Sequence, residues 1–551
     1  MFAISPPAKW PRLLKVKVAL SVILIVSGML RFWDLGSLPM GLHWDELDAG
    51  YQGYSLLKTG KDYHGNKLPV FAHSFADYRS PIIIYSTVPT VALFGLNDWS
   101  VRLPSAMFGL ITVLGVGILA YKLTKSYQIF VLSSLVLGLS PWHIQYSRQA
   151  VETSSMLALL VLGFAKNSCL VSGLASLAYS PAKLFVPLFF LVQLIKNYSR
   201  KILIGFLIMS TIASVAYLDG LFGKSGMRFS EIAIFTDPTV KDWVKEKRLE
   251  FALGAGESKQ VGMTPNILNK LEFNKFNKWG TWIIQNYLSA FSPEFLFTKG
   301  DQEPRHSPAK DMIGQFHLVE VVSFVLGLSV ILAGRYTLLG WWLALSPLSA
   351  SLTRDGAAHA ARLSVMLPAI AIIIATGWAR LTKNKKLNFL YVFFYMFCFL
   401  FYVLYFFTVY RLESAVAFQY GTKEVVNFVR SKKDQYERIF LDGHNNSMLM
   451  AYLYYSGFDP DKFQKMVPLK VVNPTGDEIH GEQLDNIYTL RPMEKRWLDE
   501  LNSGKLKKTL IITTADEPGM DKPLPNSLKL LKRINFPSSE PAYLFFEAND
   551  N

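Results

Sequence analysis

Apolar and polar positions alternate along most of this chain as long blocks. Runs of about 17–25 mostly apolar residues, enough for a helix to cross the hydrocarbon core of a bilayer, lie at about 18–33, 103–121, 202–218, 318–334, 363–380 and 388–409. Shorter or interrupted runs lie near 127–140, 153–165, 168–179, 184–195 and 337–352. One more, "PIIIYSTVPTVALFG" from Pro81 to Gly95, is about 15 residues long and holds Pro89.

Charge decides whether that segment crosses. Cytoplasmic loops are enriched in Lys and Arg. With the N-terminus cytoplasmic and 81–95 not crossing, Lys122/Lys125, Lys166, Lys196/Arg200/Lys201, Arg335 and Lys383/Lys385/Lys386 all fall inside. If it crosses, all of them fall outside. The segment is therefore read as a juxtamembrane or re-entrant helix, and the expectation is about 11 spans. The pair 168–179 and 184–195 crosses together or not at all, which leaves the parity unchanged.

This topology puts residues 34–102, 141–152, 219–317 and 353–362 on the outer face, and the last span delivers 410–551 there as a tail. In that tail "TKEVVNFVRS" and "NSMLMAYLYYSG" read as helices, while "YERIFLD", "KKTLIITTAD" and "AYLFFEA" read as strands. The expected fold is an α-helical polytopic membrane module over 1–409 with an extracytoplasmic α/β domain over 410–551.

Composition agrees. Of 551 residues, 51% are hydrophobic and only 18% charged, and mean hydropathy is +0.23. Globular chains run nearer a quarter charged. The net charge of +15 raises nucleic acid as a partner, but the cations sit in short clusters between apolar runs, so no nucleic-acid partner is expected. Basic residues precede the first run and "SGMLRFWDLG" follows without a small-residue cleavage site, which marks an uncleaved first span. Two cysteines, Cys169 and Cys398, both lie in apolar runs, which argues against a disulfide framework and a cysteine metal site.

The first candidate chemistry is "GLHWDELDAGYQGY" (Gly41 to Tyr54), directly after the first span. Acidic residues beside a span are commonly solvated loop residues. Here Asp45 and Glu46 are adjacent, beside His43 and Trp44. Paired carboxylates at a membrane interface repel and lose hydration, which points to a chemical role. They could take a proton from an acceptor or hold a metal. Other outer-face candidates are His143, Arg148 and Glu152 in "SPWHIQYSRQAVE", Arg305 and His306 in "EPRHSP", Lys183 in "YSPAK", and Arg354, His359 and Arg362 in "SLTRDGAAHAAR". The plain alternatives are a local Arg148–Glu152 ion pair, a solvated turn at Arg305 and headgroup snorkelling by Lys183. An acidic pair plus several cations on one membrane face suits transfer from a lipid phosphate, where cations hold the leaving phosphate and a base activates the nucleophile. A carrier would place charges mid-span, and the long spans are nearly free of them.

In these residues the chain resembles the GT-C membrane glycosyltransferases, in the branch of protein O-mannosyltransferases and lipid A aminoarabinose transferases. The resemblance is carried by "HWDE" (His43 to Glu46), "YRSPIIIY" (Tyr78 to Tyr85), "LFGLNDWSVRLPSAMFGLITVL" (Leu93 to Leu114), "SPWHIQYSRQAVE" (Ser140 to Glu152), "PRHS" and "SPLSASLTRDGAAHAARLSVMLPAIAIIIATG" (Ser346 to Gly377). It covers the chain in patches up to about residue 430. It implies a catalytic base at Asp45 with Glu46 beside it, Glu152 as the acidic residue of the second outer loop, and an inverting transfer from a polyprenyl-phosphate sugar. His43, Arg148, Lys183, Arg305, His306, His359 and Arg362 are then the candidates for holding substrate and phosphate. The acceptor is a glycan, a lipid or a protein, and the expected location is the plasma membrane. A divalent metal stays open as a cofactor, with no convincing acidic set beyond Asp45, Glu46 and Glu152. The rival readings are an oligosaccharyl transferase or ligase that uses a lipid-pyrophosphate donor, and a lipid-carrier flippase.

Overall fold

The computed structural model describes residues 10–74, 77–196, 199–200, 203–208, 210–211, 214, 232–254, 267–309, 311–442, 447–466, 470–472, 478–490, 508–515 and 528–548. The expected span at 202–218 lies in part outside the described residues. Among them, four helices are long and apolar enough to cross a membrane: Leu13–Phe32, Asp98–Thr124, Ala360–Leu381 and Lys385–Ala417. The number rises to six if two bent pairs each make one span, Tyr127–Leu139 with Pro141–Ser147 and Glu320–Leu332 with Thr337–Ser351. Glu152–Lys166, Cys169–Ala178 and Ser180–Lys196 are shorter helices at expected positions. The helix Pro81–Phe94 has 14 residues. At 1.5 Å per residue that is roughly 21 Å, less than the thickness of a hydrocarbon core.

The chain divides into two compact units. The first comprises residues 1–27, 109–144 and 153–402. Its centre is Leu367–Leu381, which packs against Glu320–Leu332 and Tyr127–Leu139. Small residues let these backbones meet. A Cβ on Gly377 would lie 1.8 Å from the Ser323 carbonyl oxygen, and one on Gly327 would lie 1.9 Å from that of Ile373, so no larger residue fits this crossing. Trp342 donates its indole N–H to the Val365 carbonyl (2.8 Å) and packs on Phe164, Phe185 and Phe189. By contrast, Leu14, Val18, Val22 and Ile25 on the first helix and Phe389, Phe393 and Phe397 on Lys385–Ala417 are exposed. Apolar surface this extensive is solvated well by lipid and poorly by water.

The second unit comprises residues 28–108, 145–152 and 403–551. It holds a two-stranded antiparallel ribbon, β1 (Ala72–Ser74) and β2 (Asp77–Arg79), and a seven-stranded sheet. The sheet is built from β3 (Arg438–Asp442), β4 (Lys470–Val472), β5 (Glu478–Leu484), β6 (Ile487–Leu490), β7 (Thr509–Thr514), β8 (Leu528–Asn535) and β9 (Pro541–Ala548), in the order β4-β5-β6-β3-β7-β9-β8. Among the described strands only β3 pairs in parallel, with β6 and with β7, so Ile439 faces Ile487 on one side and Leu510 on the other. The helix and strand types read for the tail are present at Thr422–Lys432, Ser447–Ser456, β3, β7 and β9.

The tail packs closely with the first loop. Helix Trp44–Thr59 shares a core with it, including Leu47, Tyr51, Val425, Leu449, Leu453 and Ile512. Tyr51 donates its hydroxyl to the Phe458 carbonyl at 3.0 Å, and the Gln464 amide donates to Ser55, Thr59 and Asp62. The glycines of "WDELDAGYQGY" permit close approach, Gly50 to the tail and Gly53 to helix Pro81–Phe94. A Cβ on Gly50 would lie 2.6 Å from the Tyr454 ring, and one on Gly53 would lie 2.1 Å from the Thr87 hydroxyl.

Candidate functional site

Helix Trp44–Thr59 starts where the first long helix has ended. His43 caps it: its Nδ1 accepts the Asp45 N–H at 3.3 Å, while Glu46 Oε2 accepts the His43 N–H at 3.1 Å. This reciprocal arrangement is a capping box. It aims the two neighbouring carboxylates in different directions.

Glu46 points inward and is 0% exposed. Arg102 donates Nε to Oε1 (2.8 Å) and Nη2 to Oε2 (3.0 Å), and the Ala150 N–H donates to Oε1 at 2.9 Å. The remaining guanidinium donors of Arg102 reach the carbonyls of Leu35, Pro39 and Gly41. Arg148 does the same for the carbonyls of Leu30, Asp34 and Leu38, with its other faces on Phe406 and Phe407. Two buried arginines thus fold the 30–42 turn around themselves.

Both oxygens of Glu46 are engaged within the fold, and Arg148 is fully buried among those carbonyls and rings. The helix Pro141–Ser147 ends before Arg148 and the next begins at Glu152, so the two do not share one helical face.

Asp45 points the other way and keeps 24% of its side chain exposed. It opens onto a pocket lined by Asp45, Asp48, Ala49, Arg79, Ile83, Ile84, Ala150 and Glu152, about 220 Å³ counting the part open to solvent. Arg79, at the end of β2, is the pocket's cation. Its Nη2 donates to Asp45 Oδ1, its Nε lies 3.5 Å from Asp48 Oδ2, and its Nη1 lies 3.9 Å from Glu152 Oε1.

Asp48 is one helical turn on from Asp45 and only 3% exposed. Tyr63 (2.7 Å) and Ser74 (2.9 Å) donate hydroxyls to its Oδ1. Burial pushes its pKa up to about 6, outweighing the opposing pull of Arg79 and of those hydroxyls. Tyr63 rises well above its ordinary value, through burial first and the Asp48 charge second. Three carboxylates therefore share one guanidinium, and burial makes one of them, Asp48, easier to protonate than an ordinary aspartate. That is a site able to accept a proton and to hold a hydroxyl or amine beside a charged group.

Of the sequence candidates, Asp45 and Glu152 line this pocket, and His43 lies beside Asp45, its Nδ1 3.3 Å from Asp45 Oδ2. Asp48 and Arg79 line the pocket as well and are not among the sequence candidates. Asp48 was hidden in "DELDAG" as one more helical acid. Arg79 stood inside "YRSP", where an arginine before a proline-started apolar helix was the available signal.

The remaining sequence candidates lie in the first unit. Arg362 donates to the Thr353 hydroxyl (2.6 Å) and to Asp355. Asp355 is held below its ordinary pKa: burial would raise it, but the Arg362 hydrogen bond and charge win. Arg305 pairs with Glu303 at 3.0 Å, and His306 Nδ1 lies 3.0 Å from Asp301 Oδ2. His359 packs its ring 4.6 Å from that of His306. Burial first, then the nearby His306 and Arg362, lowers the His359 pKa to about 3. Lys183 is half-buried near the start of Ser180–Lys196. His143 is fully buried on the helix Pro141–Ser147. Arg354 is more open, with Asp237 3.8 Å away.

No family model and no curated protein matches the chain. Among solved structures it is similar to the Cupriavidus metallidurans ArnT bound to undecaprenyl phosphate, at 12% identity and TM-score 0.47, covering 98% of each chain. It is also similar to the Archaeoglobus fulgidus oligosaccharyltransferase AglB in complex with an inhibitory peptide and a dolichol-phosphate. There the identity is 11% and the TM-score 0.46, over 81% of this chain and 64% of that one. The chain thus spans a little under two thirds of the length of AglB. Likeness this faint leaves fold family and activity to be argued from the chain's own residues.

Proposed function

We propose that this chain is a multi-pass membrane glycosyltransferase of GT-C type that moves a sugar from a polyprenyl-phosphate donor to an acceptor on the extracytoplasmic face. The observation that carries this reading is Asp45. It is a partly exposed carboxylate, fixed at a helix start just after an apolar helix of membrane length, and it opens on a pocket beside Arg79 and Asp48.

In this reading Asp45 is the base and Arg79, which donates to it, orients its carboxylate. The acceptor oxygen or nitrogen forms a bond to the anomeric carbon as its proton passes to Asp45. The bond from that carbon to the phosphate oxygen breaks, and polyprenyl phosphate leaves with the electron pair. Attack from the face opposite the phosphate inverts the anomeric centre. Arg362, Arg305, Lys183, His306 and His359 are the proposed phosphate-side groups, Glu152 is a second acid, and apolar helix faces take the isoprenoid tail. The N-terminus is cytoplasmic and the 410–551 segment extracytoplasmic in the plasma membrane.

The test is to incubate purified protein in lipid vesicles with a panel of radiolabelled polyprenyl-phosphate sugars and follow donor consumption. Consumption of one donor, abolished by Asp45→Asn, supports the reading. Donor translocation without turnover points to a flippase, and turnover of pyrophosphate-linked glycans alone points to an oligosaccharyl transferase.

A further inference from the structure

We propose that Asp301, His306 and His359 form a binding site for one divalent transition-metal ion of the zinc type, with a coordination position left open for an oxygen ligand. Each of the three offers a donor atom, and these atoms lie within 4.8 Å of one another.

The loop is built around Asp301. Its Oδ1 accepts the Glu303 N–H (2.9 Å), and the His306 and Ser307 N–H groups close a turn on the Glu303 carbonyl. That turn carries His306 back over the Asp301 carboxylate. Asp301 Oδ2 also accepts the Ala360 N–H at 2.8 Å, which fixes the backbone directly after His359. One mostly buried carboxylate therefore anchors two segments more than fifty residues apart and brings an imidazole from each beside it.

An ordinary Asp–His ion pair would account for Asp301 and His306 alone. It does not account for a second imidazole packed against the first with its ring tilted by 34°. Nor does it account for His359 Nδ1, which is buried without a hydrogen-bond partner. Buried polar atoms in proteins are nearly always satisfied, and an exception points to a bound water or ion. A metal ion would satisfy that nitrogen.

The donor set selects the ion. Two imidazoles and a carboxylate match the three-ligand zinc sites that keep a fourth position open. Calcium and magnesium prefer shells made wholly of oxygen. Around the donors, Asp355 Oδ2 stands 3.8 Å from His359 Nε2 and is itself held by Arg362.

The experiment uses the full chain purified in detergent, stripped with a chelator, desalted and titrated with Zn²⁺ alone. One equivalent should remain after desalting. His306→Gln and Asp301→Asn should each weaken retention by at least about tenfold, the lower end of what even outer-shell changes cost such sites. His64→Ala, which removes an exposed histidine elsewhere, should change nothing. X-ray absorption at the zinc edge of the unaltered protein reads the ligands directly, whether or not any variant folds. A shell of two imidazoles and oxygens is expected. No retained zinc, zinc retained equally by both variants, or a shell without imidazole would each overturn the site.

Discussion

The guanidinium of Arg102 closes on the carboxylate of Glu46 with both side chains excluded from solvent, 56 residues apart in sequence. Removing one partner of a buried pair leaves a lone charge in a poor dielectric, which costs about 3–5 kcal/mol. Arg102→Met is expected to lose that much, seen as a lower unfolding midpoint in detergent. Combining it with Glu46→Gln should recover part of the loss, because the stranded charge is gone. A single variant as stable as wild type would remove the pair from its place as the keystone of the first loop.

Asp45→Asn keeps the shape of the side chain and removes the proposed base. Turnover in the vesicle assay should fall by at least about a hundredfold, the scale of general base catalysis, with the unfolding midpoint nearly unchanged. Turnover within a fewfold of wild type would assign the base elsewhere, with Asp48 and Glu152 the next candidates.

Asp48 should leave a mark on the pH dependence of stability. Its pKa is about 6 in the folded protein against an ordinary value of 3.8. Between those values the folded state binds more protons than the unfolded one, so its contribution is greatest below about pH 4 and is lost as pH rises through 6. Two pH units correspond to roughly 3 kcal/mol. Asp48→Asn should flatten this window, so that its stability relative to wild type rises between pH 4 and pH 6.5. Parallel stability curves would show that the burial of Asp48 does not hold in solution.

Arg362→Lys keeps the charge and loses the forked donors that match a phosphate. If Arg362 grips the donor phosphate, the apparent KM for donor should rise several-fold. An anchor that only reaches headgroups would be served equally well by Lys. An unchanged KM and kcat at equal protein level would move the phosphate contact to Arg305 or Lys183.

Topology is testable without substrate. In a background of Cys169→Ser and Cys398→Ser, cysteines at Lys166 and Lys383 should resist a membrane-impermeant thiol reagent in intact cells. A cysteine at Gln302 should react; all three positions are exposed in the protein. Labelling at Lys166 and Lys383 would show that 81–95 crosses and that the charge argument fails.

The sequence by itself determined what depends on neighbours along the chain. Apolar runs marked the long helices at 13–32, 98–124, 360–381 and 385–417, because a membrane-length stretch needs only composition. Strand and helix periods in the tail were legible at Arg438–Asp442, Thr509–Thr514 and Thr422–Lys432, since side-chain alternation is local. "HWDE" at the end of a span announced Asp45. Only the tertiary structure decided that Glu46, its neighbour, faces inward to Arg102, because the capping box turns adjacent carboxylates apart. Only it brought Arg79, Tyr63 and Ser74 to Asp48, across separations of 15 and 26 residues for the two hydroxyls. The same holds for His359 beside Asp301 and His306. Such convergence depends on which backbones can approach, and that is set by small residues such as Gly50, Gly53, Gly327 and Gly377, whose partners no local pattern names.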